Sequence, residues 1–200
     1  MEEEGFYSRE RWNNWMERLR EEEFDPETED GDGARLFFNL QDDVTIACVK
    51  AVEAYDDGEV DEEEFVEELN EMREIVMAEE SMDENKKMVL EGVQTSLIGV
   101  MASCETYVVN SGEATGEGTV SEYVREAENA EHEDDMDRAL ALVAEAGALI
   151  LDGEEFEAES FDDLEYGFVS EWVNGLDSLA EAVSEPEMIE EEEEEEEHNG

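Results

Sequence analysis

The amino-acid sequence predicts an all-α protein: a single bundle of six or seven helices, followed by a disordered acidic C-terminal tail. Apolar residues recur with the 3.6-residue period of a helix. Two prolines in 200 residues leave long stretches that nothing interrupts. No run of β-branched residues shows the sustained alternation of a half-buried strand. We therefore expect an all-α helical domain over residues 1–184 and a disordered poly-Glu tail over residues 185–200.

Capping pairs divide the domain into individual helices. An acceptor side chain followed three residues later by an acid can satisfy the free N–H groups of a first helical turn. Such pairs are Asp61/Glu64, Ser81/Glu84, Thr119/Glu122 and Ser160/Asp163. Together with the apolar period they predict helices over approximately residues 8–23, 34–56, 61–76, 81–108, 119–130, 135–151 and 160–183.

Gaps in the charge pattern predict which helices are buried. Residues 92–112 contain one charged residue, Glu105, and residues 139–151 contain one, Glu145, in a chain that is 38% charged. Because such gaps mark segments that are removed from water, we expect the fourth helix at the centre of the bundle, surrounded by the others. A contact between two copies of the chain is the alternative explanation.

The balance of charge is extreme. The chain has 65 Asp and Glu residues against 11 Lys and Arg residues, for a formal net charge of −54, and only ten of the acidic residues lie in residues 185–200. A basic nucleic-acid-binding surface and a polybasic membrane-binding surface are excluded, because both ligands are anionic. Acid spread over the whole fold, with only three lysines, predicts a halophilic archaeal protein whose self-repulsion is screened at molar salt.

The cellular compartment is predicted from the charge of the first residues and from the length of the apolar runs. The first residues have the wrong charge for a signal peptide, and no apolar run approaches the roughly 18 residues of a membrane span. We expect a cytoplasmic protein in which Cys48 and Cys104 are reduced core thiols. Two cysteines and two histidines form neither a disulfide scaffold nor a four-ligand zinc site at these spacings. No cofactor is predicted.

One turn resembles a calcium loop. Between Asp57-Gly58 and Glu64 the sequence is similar to the second half of an EF-hand, but Tyr55 falls on a ligand position. A helix–turn–helix connection explains the same residues. Neither histidine is placed as a general base, and no nucleophile elbow, phosphate loop or dinucleotide-binding motif is present. The sequence therefore predicts no catalytic residue and no metal ligand.

Four polar residues interrupt the predicted apolar helix faces. They are Asp43, Gln94, Thr95 and Asn174. Because buried polar groups require hydrogen-bond partners, we interpret them as an interior polar network that fixes the register of the helices. A catalytic site is the alternative interpretation.

The first helix differs from the rest of the chain in its charge. Arg9, Arg11 and Arg18 lie close to Trp12 and Trp15. One interpretation is an amphipathic helix that docks on the bundle through its Trp residues while its Arg residues pair with carboxylates. The other is a patch that recognises a partner, since Trp and Arg are favoured in binding hot spots. We take the five residues as the candidate interaction patch.

Several segments together resemble a known family. They are Arg11-Trp12-Asn13-Asn14-Trp15, Asn39-Leu40-Gln41-Asp42-Asp43, Gly92-Val93-Gln94-Thr95-Ser96-Leu97 and Glu171-Trp172-Val173-Asn174-Gly175-Leu176. They are similar to an uncharacterised archaeal family, best represented in haloarchaea, that is filed as a domain of unknown function. The resemblance covers most of the chain except the tail. It implies a haloarchaeal source and carries over no activity, cofactor or site residue.

These observations favour a non-catalytic, cytosolic interaction or regulatory protein that acts through contacts with another protein. One alternative is a metal-dependent all-α enzyme, in which Asp43 and acids from another helix converge in a carboxylate cluster. A second alternative is an acidic mimic that binds basic protein surfaces. The expected partner is a protein, with neither nucleic acid nor membrane involved, and a homo-oligomer is left open.

Overall fold

A computed structural model describes residues 5–25 and 31–184, and in these residues the chain is all-helical. They form seven α-helices and one 3₁₀ turn, with no strand. The helices are α1 Arg9–Glu21, α2 Asp32–Asp56, α3 Glu62–Val76, α4 Glu84–Val109, α5 Val120–His132, α6 Met136–Leu151 and α7 Phe168–Ser184, and the 3₁₀ turn is Ala158–Phe161. The predicted fold class is confirmed. The poly-Glu tail expected over residues 185–200 lies outside the described residues.

The centre of the bundle is α4. This helix packs against α2, α3, α6 and α7. Leu97, Val100 and Cys104 on different turns of α4 are fully buried. Because α4 is apolar around most of its circumference, its burial requires neighbours on several sides. The predicted central helix is therefore confirmed, and the burial is supplied within one chain.

Small residues let the neighbouring helices approach α4 closely. Gly99 of α4 faces Trp172 of α7, where an added Cβ would lie 3.0 Å from the Trp172 Cβ. Gly175 of α7 lies against the backbone oxygen of Ser96. Gly147 of α6 lies against the side chain of Ser103. At such distances a methyl group has no room, so these contacts fix how α6 and α7 pack on α4.

Two of the predicted capping boxes are confirmed. At the start of α3, the Glu64 N–H donates to the Asp61 carboxylate at 3.0 Å and the Asp61 N–H donates to the Glu64 carboxylate at 3.0 Å. At the start of α5, Thr119 and Glu122 exchange the same two bonds. These boxes are local in sequence, which is why the spacing of the residues predicts them.

The predicted starts of α4 and α7 are wrong. The α4 cap is Asp83, whose carboxylate accepts from the Lys86 N–H at 3.1 Å, and not Ser81. The last helix begins at Phe168, and not near Ser160, because the residues proposed as its cap have other partners. Arg125 of α5 donates to the Asp163 carboxylate at 2.6 Å and to the Ser160 carbonyl at 2.8 Å.

The first turn of α7 is capped by another helix. The Glu131 carboxylate of α5 accepts from the Phe168 N–H at 2.7 Å and from the Val169 N–H at 3.3 Å. A carboxylate is favourable there, since the N-terminus of a helix carries partial positive charge. The cap lies more than thirty residues away in sequence, so a local pattern does not indicate it.

Among the described residues, none of the helices combines the length and the apolar character that a membrane crossing requires.

Candidate functional site

The first helix docks on the bundle through one face. Ser8 begins α1 by accepting from the Arg11 N–H at 3.2 Å. Trp12, Met16 and Leu19 follow at helical spacing and are buried. Of these, Trp12 is fully buried, so its ring belongs to the core and not to an exposed surface.

Two carboxylates hold α1 in the same way. The Asp43 carboxylate of α2 accepts from the Trp15 indole N–H at 2.8 Å and from the Arg11 guanidinium, with an Nε–Oδ2 distance of 3.0 Å. The Glu80 carboxylate accepts from the Trp12 indole N–H at 2.9 Å and from the Arg20 guanidinium at 2.7 Å. Each acid therefore satisfies one indole and one cation of α1.

A buried lysine holds the end of α1. The Lys86 ammonium donates to the Arg20 carbonyl at 3.0 Å and lies 3.7 Å from the Asp83 carboxylate. A cation is favourable at this position because the last turn of a helix leaves carbonyl groups without partners. Glu80 and Lys86 were not predicted as site residues. Both lie far from α1 in sequence, and only the fold brings them there.

The environment of Asp43 is polar and largely shielded from solvent, since its side chain is 15% exposed. Tyr7 is buried beside it, and the Arg11 guanidinium lies 5.4 Å from the centre of the Tyr7 ring. Burial, and then the nearby Asp43 carboxylate, raise the pKa of Tyr7 well above its ordinary value. The phenol therefore stays neutral and packs as part of the attachment.

The two thiols are structural. Cys48 and Cys104 are fully buried. Burial raises the pKa of Cys48 to about 12, and burial likewise raises the pKa of Cys104. Since the thiolate is the reactive form, both side chains behave as small core residues.

The candidate interaction patch divides into separate parts. Trp12 is buried, so its assignment to an exposed patch is wrong. At about 100° per residue, Arg9 lies on the opposite flank of α1 from Arg11 and Arg18. Arg11, Trp15 and Arg18 share one flank, with spacings of four and three residues. The Arg18 guanidinium lies 4.6 Å from the centre of the half-buried Trp15 ring.

The interior polar network that the sequence predicts does not form. Asp43 binds α1, whereas the Gln94 amide donates to the carbonyls of Val76 and Ala78 at 2.8 and 3.1 Å, at the end of α3. The Thr95 hydroxyl donates to the Glu91 carbonyl of its own helix at 2.8 Å. Asn174 is exposed. Asp43, Gln94 and Thr95 each bond to a different partner. The positions of polar residues within apolar stripes therefore do not show which of them contact one another.

A buried amide that the sequence analysis missed joins α2 to α7. The Gln41 amide donates to the Ser178 hydroxyl at 2.8 Å and to the Asn174 carbonyl at 3.4 Å. Gln41 is a neighbour of Asp42 and Asp43 in sequence, and the run of polar residues gives no indication of which one faces the core.

The turn that resembles a calcium loop is a helix connection. Gly58 adopts a φ of +71°, and the Glu64 carboxylate is used by the α3 capping box. The Asp56 carboxylate accepts from the Tyr107 hydroxyl at 3.3 Å. Within the described parts of the chain, no group of three or more His, Cys, Asp or Glu residues is arranged to hold a metal ion.

The convergence of acids that a metal-dependent enzyme requires at Asp43 is contradicted. Trp15 and Arg11, which are hydrogen-bond donors, surround this carboxylate instead of acids from another helix.

Fold and site define a small all-α protein. A central helix packs among α2, α3, α6 and α7, and a Trp/Arg-bearing first helix is held by two carboxylates. The chain belongs to a family described as "uncharacterized protein conserved in archaea (DUF2150)", whose sequence profile matches residues 5–192. The predicted resemblance to an uncharacterised archaeal family is thereby confirmed. No curated protein and no solved structure matches the chain.

Proposed function

We propose that this protein is a non-catalytic, halophilic, cytosolic interaction protein that binds a partner protein through the exposed flank of α1. We name this flank, formed by Arg11, Trp15 and Arg18, the α1 ridge. The observation that carries the proposal is the stacking of Arg18 on Trp15, with a distance of 4.6 Å between the guanidinium carbon and the ring centre.

The ridge combines rigidity with the chemistry of a binding hot spot. Asp43 fixes the Trp15 ring by accepting its indole N–H at 2.8 Å. The ring in turn supports Arg18, which is exposed. A fixed aromatic ring and a guanidinium lose little conformational entropy on binding, which favours their use at interfaces.

The ridge also stands out electrostatically. The chain has only eleven Lys and Arg residues against 65 acids. A partner from the same cytosol that carries similar excess acid would be repelled by most of this surface and attracted to Arg18 of the ridge, since the charge of Arg11 is paired with Asp43. Electrostatic complementarity of this kind sets the orientation of binding more than its strength.

The test compares two arginines on opposite flanks of the same helix. Full-length protein with Arg18→Ala or with Arg9→Ala is used to capture partners from a haloarchaeal lysate in about 2 M KCl, where long-range attraction is screened. We expect specific proteins that the wild type and the Arg9→Ala variant retain and the Arg18→Ala variant loses. Equal recovery with all three proteins would show that the ridge is not the binding surface.

A further inference from the structure

A groove that shares no lining residue with the α1 ridge runs along α7. Two adjoining cavities of about 430 and 570 Å³ follow this helix from the segment after the 3₁₀ turn to the end of α7. They share Phe156 and Asp177. We call this feature the α7 groove, and its apolar lining includes Phe156, Phe161, Val173, Ala180 and Val183.

Every charged residue that lines the α7 groove is acidic. Its described lining contains seven carboxylates and no Lys, Arg or His. Since most of this protein's surface is acidic, charge alone does not distinguish the groove. What distinguishes it is an apolar, partly aromatic floor beneath that rim, in a protein whose other apolar residues lie mainly in the core.

Two carboxylates that repel each other lie beside the groove, and one of them, Asp177, lines it. Asp177 lines both cavities, and Asp42 of α2 lies close enough for the two carboxylates to repel each other. Burial raises the pKa of both groups, and the repulsion from Asp177 raises the pKa of Asp42 further, although a hydrogen bond with Ser178 opposes it. No basic residue of the described chain lowers either pKa. A cation supplied by a ligand in the groove would stabilise the ionised form of Asp177, which lines both cavities.

An exposed aromatic residue stands at one end of the groove. Tyr166, which lines it, is 90% exposed. Large aromatic side chains supply much of the binding energy at protein interfaces when they become buried. The exposure of Tyr166 provides an anchor at the end of the groove that lies near the start of α7.

The length of the groove fits a helix. From Ser170 to Ser184 it follows α7 for about 21 Å, at 1.5 Å per residue. An amphipathic helix of about four turns lays its apolar face into such a groove and leaves its polar flanks at the rim. Because the rim is acidic, basic flanks are complementary to it.

We propose that the α7 groove binds a basic amphipathic helix of a partner protein, with Lys or Arg side chains of that helix facing Asp177 and the other carboxylates of the rim. The apolar face of the partner helix packs on Phe156 and Val173. Tyr166 closes over its end. This surface is separate from the α1 ridge, so either proposal can fail without the other.

The test uses a defined peptide as the probe. A fluorescein-labelled, Leu/Lys amphipathic helix of about 14 residues is titrated with the full-length protein in about 2 M KCl, and fluorescence anisotropy is recorded. A second peptide has the same composition in a scrambled order that does not segregate Leu from Lys. We expect saturable binding of the amphipathic peptide and about tenfold weaker binding of the scrambled one.

Three variants make the test specific. Asp177→Lys and Tyr166→Ala should each weaken binding of the amphipathic peptide about tenfold. Glu67→Lys, the same charge change at an exposed position of α3, should leave binding unchanged. Circular dichroism shows whether Asp177→Lys folds. If it does not, Tyr166→Ala still tests the groove, because Tyr166 is 90% exposed and its replacement leaves the core intact.

Other outcomes would overturn the proposal. Equal binding by the Glu67→Lys and Tyr166→Ala variants and equal binding of both peptides would indicate general attraction to an acidic surface. Met188 and Ile189 are the apolar residues of the C-terminal segment. If only the Met188→Glu/Ile189→Glu variant binds the peptide, the chain's own C-terminal segment covers the groove, and the proposal is wrong.

Discussion

At the scale of single residues, the packing of this bundle depends on positions that have no room for a methyl group. The sequence places glycines in α4, α6 and α7, but it does not show which of them face another helix. In the structure, Gly175 meets backbone of α4 and Gly147 meets a serine side chain. Gly92, in contrast, has only a carboxylate oxygen of Glu171 at 3.7 Å from an added Cβ.

The first prediction compares these glycines. Gly175→Ala should lower the free energy of unfolding by about 1–3 kcal/mol, since the backbone of Ser96 cannot move aside without shifting α4. In a protein of this size each kcal/mol lowers the melting temperature by about 2–4 °C. Gly92→Ala is the control, and it should stabilise the helix by up to about 1 kcal/mol. Thermal unfolding measures both, and equal melting temperatures would contradict the close approach of α7 to α4.

The second prediction concerns Asp42 and Asp177. The pKa of each carboxyl is raised above its ordinary value of 3.8, chiefly by burial. The folded protein therefore binds these protons more tightly than the unfolded chain, so the free energy of unfolding falls as pH rises through the window above 3.8. Asp177→Asn should raise the melting temperature at neutral pH, and this gain should disappear as pH falls towards 3.8.

The pH experiment needs a matched acid outside the pair. Glu67→Gln at an exposed position of α3 removes the same charge from the protein. Melting temperatures measured at neutral and acidic pH in molar KCl separate the local effect from the change in net charge. A stabilisation by Glu67→Gln as large as that by Asp177→Asn would count against a local origin.

At the scale of elements, the helices that carry their own caps are predictable from sequence. The capping boxes at Asp61 and Thr119 are examples, because donor and acceptor lie within one turn. The start of α7 is not predictable in this way. Its cap is Glu131 of α5, and Arg125 engages the residue that a local pattern favours, Asp163. Long-range hydrogen bonds override local preference there.

The first helix shows the same limit. Its amphipathic pattern and its arginines predict a docked helix with carboxylate partners, and Asp43 is such a partner. The pattern does not predict that Trp12 is buried while Trp15 is half-buried, because both lie on the same broad apolar face. The sequence also does not predict the role of Glu80 in holding Trp12, because nothing distinguishes it from the other acids among 65.

The third prediction tests the attachment of α1. Asp43→Ala leaves the Trp15 indole and the Arg11 guanidinium without this acceptor, and should lower the free energy of unfolding by about 1–3 kcal/mol. Local opening of α1 should become easier still, so trypsin should cleave the chain faster at the arginines of α1. Glu53→Ala, at an exposed position of the same α2 helix, is the control. Equal cleavage rates for the two variants would contradict the role of Asp43.

At the scale of the whole molecule, the distribution of charge along the sequence matches the division of the fold into interior and surface. The charge-poor segments of α4 and α6 lie in the interior, while most acids of the other helices face water. A net charge of −54 on one chain produces strong self-repulsion in dilute buffer. Eight ion pairs of Lys or Arg with a carboxylate join described residues, and each has at least one partner that is substantially exposed, so they offset little of that repulsion. We therefore expect the folded state to depend on screening by the solvent.

The most direct test of this account is the dependence of folding on KCl. The Debye length grows from about 3 Å at 1 M salt to about 10 Å at 0.1 M, so repulsion among the surface carboxylates should increase as salt is removed. Far-UV circular dichroism of the full-length protein, recorded during thermal unfolding at a series of KCl concentrations, measures the effect. We predict a melting temperature that falls continuously as KCl is lowered from molar to dilute concentrations. A melting temperature that does not change over that range would contradict the assignment of the charge to adaptation to a salt-rich solvent.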